Sequence, residues 1–165
     1  MQKLAKLARR IATLGITAAL IVGFTIPAMA APVRTNAQAE EIALGVYPGA
    51  TVRYTEYEQK KNGATYYEVN LIVAGDVRVE VKIDAATGTI RAGYERNLLE
   101  VATITPTQAR NTALNLYPGA TITKTELEYE KGVLTYEISL TQTNGRRAEV
   151  YIDAATGTVT RNKTK

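Results

Sequence analysis

Carboxylates are the reactive groups this chain holds in number. Glu56 and Glu58 stand two residues apart, and Glu126, Glu128 and Glu130 repeat that spacing further along. On a strand such residues line one face in a row. A row of this kind could serve carboxylate-only chemistry, as in glycoside hydrolysis, or lend oxygens to a hard cation. One strand seldom supplies enough oxygens for a cation, and a solvated strand face explains the row more simply. The rest of the catalytic toolbox is missing. The sequence has no His and no Cys, and Ser139 is its only serine. Nucleophile-plus-imidazole catalysis is therefore excluded, as are thiolate metal sites and disulfides. The expectation is a non-enzyme with no catalytic residue, no cofactor and no metal.

The repeated Asp84-Ala85-Ala86-Thr87-Gly88 and Asp153-Ala154-Ala155-Thr156-Gly157 read as turns rather than ligands. An Asp opening a turn accepts from backbone N–H groups two residues on, and Gly supplies a left-handed position. A calcium loop would need further oxygens at alternating positions.

The elements that position these residues come in two copies. Tyr47-Pro48-Gly49-Ala50-Thr51 returns as Tyr117-Pro118-Gly119-Ala120-Thr121, at an offset of 70, and the Asp turn returns at an offset of 69. The unit is about 60 residues long, near the lower limit for an independent core, so the two copies should pack together. Thr35-x-x-Gln38 and Thr105-x-x-Gln108 are capping-box patterns that open a helix. Ala39, Ile42, Ala43 and Val46 continue one helical face, and Tyr-Pro-Gly ends it. Strands follow at about 51–58 and 121–130. Alternation then places Tyr67, Val69, Leu71 and Val73, with Val79, Val81 and Ile83, on a buried face. Tyr136, Ile138, Leu140, Ala148, Val150 and Ile152 match them in the second copy. A short fourth strand is expected after each Asp turn, near Thr89-Ile90-Arg91 and Thr158-Val159-Thr160. The fold class is α+β: two repeats, each an N-terminal helix packed on a three-stranded antiparallel sheet.

The first thirty residues form a separate object. Lys3, Lys6, Arg9 and Arg10 precede an uncharged apolar run from Ile11 to Ile26, then Pro27 and Ala28-Met29-Ala30. This is the pattern of a secretory signal peptide cleaved after Ala30. An uncleaved anchor is the alternative, since the run could just span a bilayer at about 20 residues. With the segment removed, sixteen basic and sixteen acidic residues remain, a net charge of zero. That balance gives no support to a nucleic-acid partner. The expected layout is a signal peptide at 1–30, repeats at 35–91 and 105–160, a linker at 92–104 and a tail at 161–165.

Tyr67-Glu68-Val69 followed by Asp84-Ala85-Ala86-Thr87-Gly88, and Tyr136-Glu137-Ile138 followed by Asp153-Ala154-Ala155-Thr156-Gly157, carry a family resemblance. Helix, Tyr-Pro-Gly, strand, Gly turn, Tyr-Glu-Val and the Asp turn, in that order and twice over, resemble the PepSY domain. The resemblance implies a protein that inhibits or modulates peptidases, as in the propeptides of thermolysin-like metalloproteases. It also implies a secreted or envelope protease as partner. No contact with the membrane is expected after signal cleavage. A structural or self-associating envelope protein is the alternative. The outward sheet face is the expected contact surface, through Tyr66, Glu68, Ile72 and Lys82 in the first repeat and Glu137, Arg147 and Tyr151 in the second. The sequence allows those tyrosines either to meet a partner or to pack under the second repeat.

Overall fold

The computed structural model describes residues 32–33 and 35–165, so the expected signal segment and its cleavage site lie outside the described residues. The element order is α1 (Asn36–Val46), β1 (Thr51–Gln59), β2 (Thr65–Val73), β3 (Val77–Asp84), α2 (Leu98–Val101), α3 (Pro106–Leu116), β4 (Thr121–Glu130), β5 (Val133–Thr141), β6 (Arg147–Asp153) and β7 (Val159–Thr164). No helix among the described residues is long and apolar enough to cross a membrane.

Local chemistry fixes the helices. Thr35 accepts a hydrogen bond from the Gln38 N–H, and Thr105 with Gln108 completes a capping box ahead of Pro106. The faces turned to the core are small: Ala39 and Ala43 on α1, Ala109 and Ala113 on α3, all fully buried. Such residues let each helix lie close against the sheet.

The strands alternate as their sequences require. Tyr67, Val69 and Leu71 pair with Ile83, Val81 and Val79 and are buried. Tyr136, Ile138 and Leu140 pair with Ile152, Val150 and Ala148, and these too are buried. One core cluster unites these residues with the alanines of both helices.

The sheet itself departs from expectation. Among the described residues there are not two three-stranded sheets but a single seven-stranded one, in the order β1-β2-β3-β4-β5-β6-β7. Every neighbouring pair is antiparallel except β3 and β4, which run parallel and meet at one pair, Arg78 with Glu126. A free β3 would present unpaired N–H and C=O groups along its outer edge, and β4 covers part of them. The two copies thus lie side by side. The second does not cover the sheet of the first, and the face opposite the helices has no layer over it among the described residues.

The connection between the copies is not a plain linker. Asn97 accepts from the Leu99 N–H and starts the one-turn helix α2, whose Leu98 is fully buried. Tyr94 is buried beside Tyr129, with the two rings edge to face at 5.8 Å. Gly93 makes this approach possible. It has φ +94°, and a Cβ there would sit 3.3 Å from the Tyr129 ring.

Candidate functional site

The open sheet face is built from the alternate positions that the core leaves over. Long charged side chains dominate it, and cross-strand partners hold most of them. Lys82 bridges Glu68 on β2 and Glu80 on its own strand, the latter at 2.8 Å. Lys124 bridges Glu126 and, on β5, Glu137 at 2.9 Å. For both lysines burial works against the charge, but the hydrogen bonds they donate to the paired glutamates outweigh it and raise the pKa. Arg161 on β7 bonds Glu130 at 2.6 Å and lies over the Tyr151 ring, 3.5 Å from its centre. Its buried Nε has no hydrogen-bond partner among the described residues, and the ring's π face beneath the guanidinium compensates. Burial first, then the charges of Glu137 and Glu149, pushes the Tyr151 hydroxyl up to about 12.

Oxygens of Glu126, Glu128 and Glu137 lie within 4.8 Å of one another. Burial, then the like charges of Glu126, Glu137 and Glu80, raises the pKa of Glu128. This is the carboxylate row of the sequence, joined across strands by Glu137. It makes a poor cation site, because a calcium ion takes about 6–8 oxygens and Lys124 already occupies two of the three carboxylates. It also makes a poor glycosidase pair. Those enzymes place their carboxyls about 5 Å or more apart on opposite sides of a bond, and these three share one side.

The expected contact residues all fall on this face, but not as equals. Tyr66 and Lys82 line one cleft with Lys60, Asp84 and Ile90 at the far end of the first repeat. Ile72 lines another, of about 430 Å³, with Arg78, Arg110 and Lys124. Arg147 lines a third, and Glu137 is held by Lys124. Glu68 and Tyr151 are only 7% and 5% exposed, because neighbouring side chains lie down over them. Alternation says which face a residue takes. It does not say whether a lysine or arginine next door will cover it. Arg78 was legible as an outward residue of β3. Its place at the junction of the two repeats was not.

Asp84 and Asp153 are turn formers. Asp84 Oδ1 accepts from the N–H groups of Ala86 and Thr87 at 2.9 and 2.8 Å. Asp153 Oδ1 accepts from Ala155 and Thr156, both at 2.8 Å, and these bonds hold its carboxyl below the usual range.

The family model for the PepSY "Peptidase propeptide and YPEB domain" matches the chain twice, over residues 35–94 and 103–162. Among solved structures, the chain is similar to the CD1622 protein of Clostridium difficile 630, with 20% identity, 77% of this chain and 90% of that one covered, and a TM-score of 0.39. It is also similar to the YpmB protein from Bacillus subtilis (20% identity, 70% and 85% covered, TM-score 0.41). The Bacillus megaterium YpeB C-terminal domain matches at 17% identity, with 82% and 68% covered and a TM-score of 0.32. No curated protein matches the chain.

Proposed function

The chain belongs to the PepSY family, with two copies of the domain in tandem, and from that premise we propose that it is a non-catalytic module that binds and modulates an extracytoplasmic peptidase. One observation carries the reading: both copies contribute to one open, charged sheet face with no layer over it among the described residues. Mixed aromatic and charged surfaces suit reversible interfaces. The residues proposed to serve this face are Tyr66, Glu68, Ile72, Lys82, Glu137, Arg147 and Tyr151. Glu68 and Tyr151 contribute by holding Lys82 and Arg161 in place rather than by touching the partner.

Export follows from the amino-terminal pattern, with the mature chain starting at Ala31. Intact mass of the exported protein tests this, and a membrane-bound species that retains Met1 would replace the signal by an anchor. The functional test is direct. Purified protein at micromolar concentration should bind and slow one of the host's secreted peptidases. If none is bound or slowed, the peptidase reading fails.

A structural reading has its own observation. β1 is an edge strand with Tyr54 and Tyr57 exposed, and β7 forms the other edge. Open edges are templates for pairing between copies. Concentration-dependent assembly without any peptidase partner would favour this second reading.

A further inference from the structure

The seam between the repeats holds unpaired positive charge. Arg78, at the single β3–β4 pair, has no hydrogen-bond, ion-pair or ring partner for its side chain among the described residues, and Arg147 at the start of β6 likewise has none. Both line one cleft of about 370 Å³ on the open face, together with Lys124 and Lys165. Its only acidic wall residue among the described residues is Glu149, which already holds Lys165. The neighbouring cleft shares Arg78 and Lys124 and adds Arg110 and one acidic residue, Asp76. Lys124 in these clefts, and Lys82 and Arg161 elsewhere on this face, are neutralised by glutamates. A guanidinium left without a partner beside cations that glutamates neutralise is free to take a carboxylate or another anion from outside.

We infer that the seam cleft is a docking site for an acidic polypeptide segment, whose carboxylates pair with Arg78 and Arg147. Two features select a peptide over a phosphate polymer or an anionic lipid surface. The free charge is local: residues 31–165 carry no net charge, so no broad positive field draws in a uniform polyanion. The cleft is also flanked by Glu126, Glu137 and Glu149, which would repel a continuous row of phosphates. Discrete carboxylates can seat on the two arginines and stay clear of these. An extended segment presents every second side chain on one side, which suits a site spread over several strands.

The inference rests on the reading of the chain as a protein-binding module, but not on the partner being a peptidase. The experiment measures fluorescence anisotropy of a labelled peptide of alternating Glu and Thr against the full chain at low salt. Its Gln-Thr counterpart, inorganic polyphosphate and phosphatidylglycerol vesicles are run in parallel. The Glu peptide should bind and the Gln peptide should not. The double variant Arg78→Gln, Arg147→Gln should weaken binding by about tenfold or more, the scale of a lost charge-assisted pair. Arg91→Gln with Arg96→Gln, also in the first repeat and its linker, should change it little. Neither target arginine has a partner to lose, so the double variant should melt with the wild type. The milder pair Arg78→Lys, Arg147→Lys should retain part of the affinity. Equal binding of the Gln peptide, indifference to the double variant, or tighter binding of polyphosphate or vesicles would each overturn the inference. So would a dimer abolished by the double variant, since it would assign the cleft to a second copy. A chain that slows a peptidase yet ignores the acidic peptide sinks this inference alone. One that binds the peptide but no peptidase sinks only the earlier reading.

Discussion

Glu40 in the first repeat and Arg110 in the second stand at equivalent places on their helices, and each grips the equivalent threonine. Thr55 donates to Glu40 Oε1 at 2.7 Å, whereas Arg110 Nε donates to Thr125 Oγ1 at 2.8 Å. The contact is kept while the charge is reversed. The arginine then does something the glutamate cannot: its Nη2 donates to the Gly75 carbonyl in the β2–β3 turn of the first repeat. The two Asp turns diverge in the same manner. After the second, the chain pairs with β6 and runs on as β7. After the first, it makes a single bridge, Ile90 to Ile83, and leaves. The outer edge of β3 is where β4 docks, so no room remains for a full fourth strand there. The tyrosines that close the helices register this difference. Tyr47 accepts from the Leu98 N–H of the linker helix, while Tyr117 donates to Asn162 on β7 at 2.6 Å. Similar sequences thus reach different ends because one copy has a neighbour at that edge and the other does not.

The sharpest way to break this comparison is through β1 and β4. Leu127 is fully buried, while its equivalent Tyr57 is 56% exposed and lies against the Tyr67 ring, with centroids 5.2 Å apart. Leu127→Ala should cost about 2–5 kcal/mol as a cavity in the core. Tyr57→Ala should cost about 1 kcal/mol, the scale of a half-exposed ring pair. Urea unfolding at unchanged m-value would measure both. Equal losses would mean that β1 is not an edge in solution.

A smaller effect is expected at the helices. Arg110→Ala removes a charge-assisted bond inside the second repeat and the tie to Gly75, and should cost about 2 kcal/mol. Glu40→Ala removes one bond inside the first repeat and should cost about half of that. Hydrogen exchange of the β2–β3 turn should rise in the arginine variant alone. If it rises equally in both, Arg110 does not tie the repeats together.

Much of this architecture could be read from the chain. Period-two alternation placed Tyr67, Val69 and Leu71 on the core face, and the Thr-x-x-Gln pattern marked both helix starts. The merger of the two sheets could not be read. Val79-Glu80-Val81 and Ala148-Glu149-Val150 carry the same local pattern, so nothing in either strand states what will lie along its outer edge. That choice is made by long-range packing. The linker helix had a faint signal in Asn97, a capping residue before two leucines. At the candidate site the face was legible, but the covering of Glu68 and Tyr151 depends on how long side chains settle across strands.

The Asp turns should respond nearly alike, because each repeat makes the same pair of backbone bonds. Asp84→Ala and Asp153→Ala should each cost about 1 kcal/mol and leave binding intact in a folded protein. Asp153 has its pKa depressed in the folded state, so its contribution is present at neutral pH and is lost as pH falls through the depressed value. Wild type and Asp153→Ala should therefore converge in stability in acid. A calcium-dependent rise in melting temperature that vanishes in either variant would make the turn a ligand instead.

The smallest effect lies at Glu58 and Glu128, which occupy equivalent positions yet shift in opposite directions. The Lys60 ammonium beside the exposed Glu58 lowers its pKa. Burial raises that of Glu128, assisted by Glu126, Glu137 and Glu80, and of these Glu80 comes near only because β3 and β4 are neighbours. A group whose pKa is raised on folding favours the folded state while protonated and opposes it once ionised. Glu128→Gln should therefore stabilise the protein at neutral pH, by a few tenths of a kcal/mol at this partly exposed site. That gain should fade as pH falls below the ordinary Glu value. Glu58→Gln should show no gain at neutral pH. Carboxyl-carbon NMR titration of the wild type reads both shifts at once. Should Glu80→Gln leave the Glu128 titration where it was, β3 and β4 would not be close enough to share charge, and the single-sheet junction would have to be redrawn.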